Sequence, residues 1–330
     1  MAFRLLITGA NGFLGRGLIE AARTCNISVT AIILPGTDAS GMDGIDVQPI
    51  EIIDSPEFRS LLNGQDAVIH LAGNMSGSRS QRYIAANVET VRELVDALRE
   101  VNRPPRLIHV SSVAVPGPMA DAQNGSLKRP PDEDSSCHPV SLYGRTKLAG
   151  ESLALSGLPD LPVTVVRLPS AYGPGDSCFF DLFRMAKFGI FPKLCTRKKR
   201  FNLVFRDDFA AMMLAILEGP RISGVLNVGD PAIHTDEDLA QALGKAAGKT
   251  LRQVFLPRGV VAILGRVARA WEAVTGRPML MSPGKVEEMS HSDWLQSFNR
   301  FQKLFPGIIL TPLETGIAHT WRWYHDHDWL

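Results

Sequence analysis

Apolar and polar positions along the first half of the chain follow two alternating periods. Short runs rich in β-branched residues read as strands at residues 3–8, 28–34, 46–52, 66–71, 106–111 and 162–167. Between them the apolar spacing lengthens to that of helices. Phe13-Leu-Gly-Arg-Gly-Leu-Ile-Glu-Ala opens one helix, and Ser55-Pro56 caps and starts a short second one. Ile84, Val88, Val91, Leu94, Val95 and Leu98 recur at helical spacing in a long helix over 79–101. This alternation predicts an α/β architecture, a parallel sheet covered by helices.

After Arg167 the pattern breaks into Leu168-Pro-Ser-Ala-Tyr-Gly-Pro-Gly-Asp176, a turn-rich passage followed by the aromatic helix Phe179-Phe-Asp-Leu-Phe183. We place a boundary there. Residues 1–167, with a return segment at about 200–229, form the first domain; 168–199 and 230–330 form a smaller, helix-rich lobe. The apolar stretch Gly259–Val274 is interrupted by Arg266, Arg269 and Glu272 before it reaches the ~20 apolar residues of a membrane span. It is expected to be an amphipathic helix buried in the second lobe or at a subunit contact. No internal repeat is visible.

Composition narrows the picture. With 330 residues, 45% hydrophobic and 21% charged, the balance is globular rather than disordered. A formal net charge of +1 gives no global field for nucleic acid. The chain enters its first strand with no secretory signal ahead of it, so a cytoplasmic location is expected. Cys25, Cys137, Cys178 and Cys195 are scattered without CxxC spacing and suggest neither zinc nor a redox pair. His325, Asp326, His327 and Asp328 sit in an aromatic tail whose expected role is packing, so no metal site is predicted.

Candidate chemistry lies in two places. Thr8-Gly-Ala-Asn-Gly-Phe-Leu-Gly15 joins the first strand to the first helix. Glycines there let the backbone approach a pyrophosphate, and the helix N-terminus directs free N–H groups at its charge. The spacing is G-x-x-G-x-x-G. Farther on, Ser141-Leu-Tyr-Gly-Arg-Thr-Lys147 places Tyr143 and Lys147 four apart, on one face of a helix. A free phenol has a pKa of about 10. A lysine cation beneath it is expected to lower that value, so that Tyr143 can exchange a proton with a carbinol oxygen while a hydride moves at carbon.

Taken in order, these motifs resemble the extended branch of the short-chain dehydrogenase/reductase superfamily, the NAD-dependent epimerase/dehydratase family. The likeness also covers Val68-Ile-His-Leu-Ala-Gly73, Asn87, Val110-Ser-Ser112, Arg167-Leu-Pro-Ser-Ala-Tyr-Gly-Pro-Gly-Asp176 and Arg200…Asp207-Asp208, nearly the whole chain. It implies a Rossmann-type doubly wound sheet binding the dinucleotide in the first domain and substrate in the second lobe. By this resemblance Gly9, Asn11, Gly12, Phe13, Leu14 and Gly15 cradle the cofactor. Leu71, Ala72 and Gly73 line its ribose and phosphate side, Glu51 and Ile52 match the adenine contact, and Asn87 helps hold the nicotinamide end, joined by Tyr143 and Lys147. A serine at the end of the fifth strand holds the reacting oxygen; Ser112 matches it with Ser111 as near competitor, and only one can face the substrate because adjacent strand residues face opposite ways. The residue ending the second strand, Leu34, is neither the acid that favours NAD nor the arginine that favours NADP, and Asp38 is a displaced substitute. NAD is the expected cofactor, with NADP left open. A homodimer through helices 79–101 and 139–155 is also implied.

The substrate side is less regular. Ser112-Val113-Ala114 stands where sugar dehydratases carry Thr-Asp-Glu, so dehydration is not expected. Arg200 matches the diphosphate-binding arginine of sugar-nucleotide epimerases, and Arg197, Lys198 and Lys199 make its approach basic. Ser170 replaces an asparagine used near the substrate. Phe179, Phe180 and Phe183 could instead suit a less polar ketone. The first reading is a sugar-nucleotide epimerase; the alternative is an NAD(P)H-dependent ketone reductase or hydroxy dehydrogenase of the hydroxysteroid dehydrogenase or dihydroflavonol reductase type. A second alternative is a non-catalytic, cofactor-sensing binding protein.

Overall fold

The computed structural model describes residues 2–75, 80–119, 129–193, 199–255 and 283–330, together with isolated positions between 259 and 270. Its centre is a seven-stranded sheet built from β1 (Phe3–Thr8), β2 (Ile27–Ile33), β3 (Asp46–Pro49), β4 (Ala67–His70), β5 (Arg106–Ser112), β6 (Val163–Leu168) and a late strand, Gly224–Asn227. The late strand lies outside β6, the order then running β6, β5, β4, β1, β2, β3, and every pairing is parallel. The order reverses between β1 and β4, so their C-terminal ends open a crevice where dinucleotides bind in such folds.

Alternation along β1 shows why both faces are covered. Leu5 and Ile7 join a core with Leu18 and Ile19 of helix α1 (Phe13–Ala22) and Phe209, Met212 and Ile216 of the helix Arg206–Glu218. Leu6 points the other way, into a core with Phe58 and Leu62 of α2 (Pro56–Leu62) and with Val91, Leu94, Val95 and Leu98. Ser55 caps α2 as its sequence predicts, its Oγ accepting from Phe58 N at 3.2 Å.

The expected helix over 79–101 is interrupted. It runs as α3 (Ser80–Ile84), a π-helical turn (Ala85–Glu89) and α4 (Thr90–Arg99). Apolar periodicity does not register the extra residue of a π turn, so the sequence concealed it. The next helix, α5 (Leu142–Leu155), packs against this turn and carries Tyr143 and Lys147.

A third core, separate from the sheet, gathers Tyr172, Phe183, Phe191, Leu203, Phe205, Leu243, Ile317 and Tyr324. Phe183 is buried at its centre, and Phe180 stacks edge-on against Tyr324 and Trp329. Phe183 is thus used for packing, whereas Phe179 and Phe180 are half-buried. His327 likewise stacks on Trp323 at 4.0 Å. Most of the stretch 259–274 lies outside the described residues. Where it is described it is helical, and Val260, Ile263 and Val267 are exposed rather than buried.

Candidate active site

At the end of β1 the backbone of Gly9 turns with φ +69°, and a Cβ there would lie 2.7 Å from Ala72 N. Only glycine fits both constraints. Gly12 occupies the N-cap of α1 in extended conformation, with no side chain capping it, so the first helical N–H groups are left for an anion. Gly15 packs onto the backbone of Ala10, while Phe13 and Leu14 are half-buried in the first turn. The loop is braced from outside. Asn11 Nδ2 donates to Thr37 Oγ1 at 2.8 Å, and Arg16 Nε donates to Asn11 O at 2.9 Å. Arg16 also pairs with Asp38 at 2.9 Å, and Ser40 N–H holds the Asp38 carboxyl below its usual range.

Leu71, Ala72 and Gly73 follow β4 directly beneath this loop, Leu71 N donating to Thr8 O at 3.1 Å. Asn87 sits in the π turn, almost wholly buried. Its Oδ1 accepts from Asn74 N at 2.8 Å, while its Nδ2 donates to Asn74 O at 3.0 Å and to Thr146 Oγ1 at 3.1 Å. It thus clamps the loop after β4 to α5. Leu34, Glu51 and Ile52 are exposed just beyond the ends of β2 and β3.

Across the crevice, Ser141 caps α5 by accepting from Gly144 N at 3.0 Å, which sets Tyr143 in the first turn. Ser112, at the end of β5, faces the Tyr143 phenol, and its Oγ accepts from Ala114 N at 3.1 Å. Burial pushes the phenol well above its usual range, against the smaller pull of Ser112. This corrects the expectation that Lys147 would depress it. Lys147 turns into the sheet and donates to Val110 O at 2.7 Å; burial brings its own pKa down to about 8, with Glu151 opposing. Burial therefore favours the neutral phenol of Tyr143.

Beneath Ser112, Ser111 Oγ donates to Glu151 Oε1, and Glu151 also accepts from Arg167, from Nε at 3.0 Å and 3.2 Å and from Nη2 at 2.8 Å. Arg167 and Glu151 are both buried. Arg167 Nη2 also reaches Cys137 Sγ at 3.3 Å, and burial keeps that thiol above its usual range. His70 and His109 stack under the crevice with ring centroids 5.4 Å apart; Thr8 Oγ1 lies 2.7 Å from His70 Nδ1.

On the substrate side, Ser170 is exposed at the start of the strand Ser170–Tyr172. Arg200 is engaged by Asp293, Nε to Oδ1 at 3.1 Å and Nη2 to Oδ2 at 2.7 Å. Lys199 Nζ donates to Met289 O, while Arg197 and Lys198 lie outside the described residues. Asp176 orders the turn it ends, its carboxylate accepting from the backbone of Cys178 at 2.7 Å and of Phe179 at 3.0 Å. Sequence reasoning missed Arg16, Glu288 and Asp293. Arg16 stands directly after the third glycine and could have been suspected; the other two carry no motif and reach the site only through the fold. Among the described residues no group of three or more His, Cys, Asp or Glu side chains could hold a metal, and no helix is long and apolar enough to cross a membrane.

The family model for the NAD dependent epimerase/dehydratase family matches residues 5–229. The chain belongs to that family. It is 25% identical over 328 residues to a ceramide reductase of Caulobacter vibrioides, covering 98% of this chain and 95% of the other. It is also 29% identical to a dTDP-4-dehydrorhamnose reductase of Mycolicibacterium smegmatis, over 75% of this chain and 70% of that one. Among solved structures, the UDP-glucuronic acid 4-epimerase of Bacillus cereus, in complex with UDP-glucuronic acid and NAD, superposes with a TM-score of 0.77. That match is at 23% identity and covers 98% of this chain and 100% of the other, a likeness of fold.

Proposed function

We propose that this family member reduces a ketone to a secondary alcohol using a reduced nicotinamide dinucleotide, NADH before NADPH. The pairing of Arg200 with Asp293 carries this choice over sugar-nucleotide epimerisation. The guanidinium that would hold a substrate diphosphate already has a bidentate carboxylate partner. A Tyr143 held as a phenol adds support, since reduction needs an acid at the reacting oxygen. The ceramide reductase, matched over nearly its full length, favours a ketone carried on an amphipathic lipid.

The glycine loop fits the dinucleotide: Gly9 permits close approach, and the uncapped N-terminus of α1 offers N–H donors to its pyrophosphate. When bound, the reduced nicotinamide supplies the hydride. Ser112 orients the carbonyl oxygen, and Tyr143 hands its proton to that oxygen as the new C–H bond forms. Asn87 and Lys147 hold the loop and helix that flank the reaction, by their bonds to Asn74, Thr146 and Val110. We further propose the lobes 1–167 with 200–229, and 168–199 with 230–330, as cofactor and substrate parts of a cytoplasmic homodimer.

The test is NADH oxidation with a ketone-bearing ceramide, beside interconversion of UDP-glucuronic acid and its 4-epimer. Stoichiometric NADH consumption with no sugar interconversion supports the reading. Sugar turnover without net NADH loss would instead establish epimerisation.

A further inference from the structure

The carboxylate of Glu288 comes from the far end of the chain to the start of the catalytic helix. Its Oε1 lies 2.6 Å from Ser141 Oγ. Since Ser141 Oγ already accepts from Gly144 N at 3.0 Å, its proton goes to Glu288. The same hydroxyl thus caps α5 and ties the second lobe to it, two residues ahead of Tyr143. The helix Pro283–Ser290 that presents Glu288 is itself fixed: Trp294 Nε1 donates to Glu288 O at 3.0 Å, and Lys199 donates to Met289 O.

We propose that Glu288 is a positioning residue that sets Tyr143 to give a proton rather than take one, and so fixes the direction in which the site works best. Burial sets most of the phenol's rise, and the groups facing Tyr143 act on top of it. Ser112 from β5 favours the phenolate, whereas Glu288, Cys178 and Tyr83 oppose ionisation. Cys178 and Tyr83 carry charge only when deprotonated at alkaline pH. Glu288 is the carboxylate among the three. Lys147, one turn on, directs its ammonium at Val110 O, with Glu151 beyond. A negative charge beside the phenol costs the phenolate more than the phenol. Reduction uses the phenol and alcohol oxidation uses the phenolate, so the proposal rests on the reductase reading for its consequence, though not for its first test.

That test is fluorine NMR of the full-length protein with its four tyrosines replaced by 3-fluorotyrosine, which brings phenol ionisation into an accessible range. Tyr143→Phe assigns the signal. Glu288→Gln is expected to lower the Tyr143 midpoint by about half a pH unit or more. Glu288→Asp should recover part of the shift and serves if the glutamine variant folds poorly. Glu287→Gln, an exposed carboxylate one residue away, should leave the midpoint in place. An unchanged midpoint in Glu288→Gln, or an equal shift in Glu287→Gln, overturns the proposal. In turnover, Glu288→Gln should move the alkaline limb of ketone reduction down by the same amount, in kcat rather than KM. If no ketone is reduced, the reductase reading fails while the NMR midpoint still decides the role of Glu288.

Discussion

Ser111 Oγ donates to Glu151 Oε1 at 2.5 Å, deep beneath the crevice, while its neighbour Ser112 faces Tyr143. Adjacent residues of one strand thus divide between a structural ion-pair network and the proposed catalytic group, because successive side chains leave a strand on opposite faces.

Exchanging each serine for alanine should separate the two roles. Ser112→Ala is expected to lower kcat by about 10²–10³-fold with little change in melting temperature. Ser111→Ala should leave kcat within a few-fold and destabilise the fold by about 1.5–3 kcal/mol, the range for a buried hydrogen bond to a charged group. Steady-state kinetics alongside urea unfolding read both effects; reversed outcomes would exchange the assignments.

Tyr143→Phe removes the proposed proton donor and keeps the ring that packs near Tyr83, their centroids 6.5 Å apart. Turnover should fall by at least about 10²-fold. Dinucleotide affinity, measured by calorimetry, should stay within about twofold, because the glycine loop is untouched.

The Arg167–Glu151 pair is buried on both sides. Arg167→Met alone leaves a buried carboxylate unpaired and should cost about 3–5 kcal/mol, whereas Arg167→Met combined with Glu151→Leu should recover most of that loss. Equal destabilisation in the single and double variants would refute the coupling.

Stability should fall in acid through the stacked histidines. Burial holds His70 down to about 3 and His109 well below its usual value near 6.5. Between those limits the unfolded chain binds more protons than the folded one. The contribution is therefore complete above pH 6.5 and is lost as pH drops toward 3, at about 1.4 kcal/mol per pH unit for each histidine. Neither ring nitrogen of His109 has a hydrogen-bond partner among the described residues. His109→Phe should accordingly flatten the acid slope of the urea midpoint, and a slope as steep as the parent's would count against this origin.

Local spacing alone determined much of this protein. The strands, the glycine loop at Gly9–Gly15, the capped start at Ser55 and the Tyr143–Lys147 pair were legible because period, turn chemistry and i, i+4 geometry are properties of short segments. Protonation and partnership were not. The weak point of the sequence reading was to infer from Lys147's position that it lowers the Tyr143 pKa, when burial governs both groups. Arg200 read as a free anion holder until Asp293, 93 residues away, closed on it. Glu288 had no motif to mark it and meets Ser141 across 147 residues. Desolvation and long-range charge depend on which distant segments the fold packs together, and only the tertiary structure decides that.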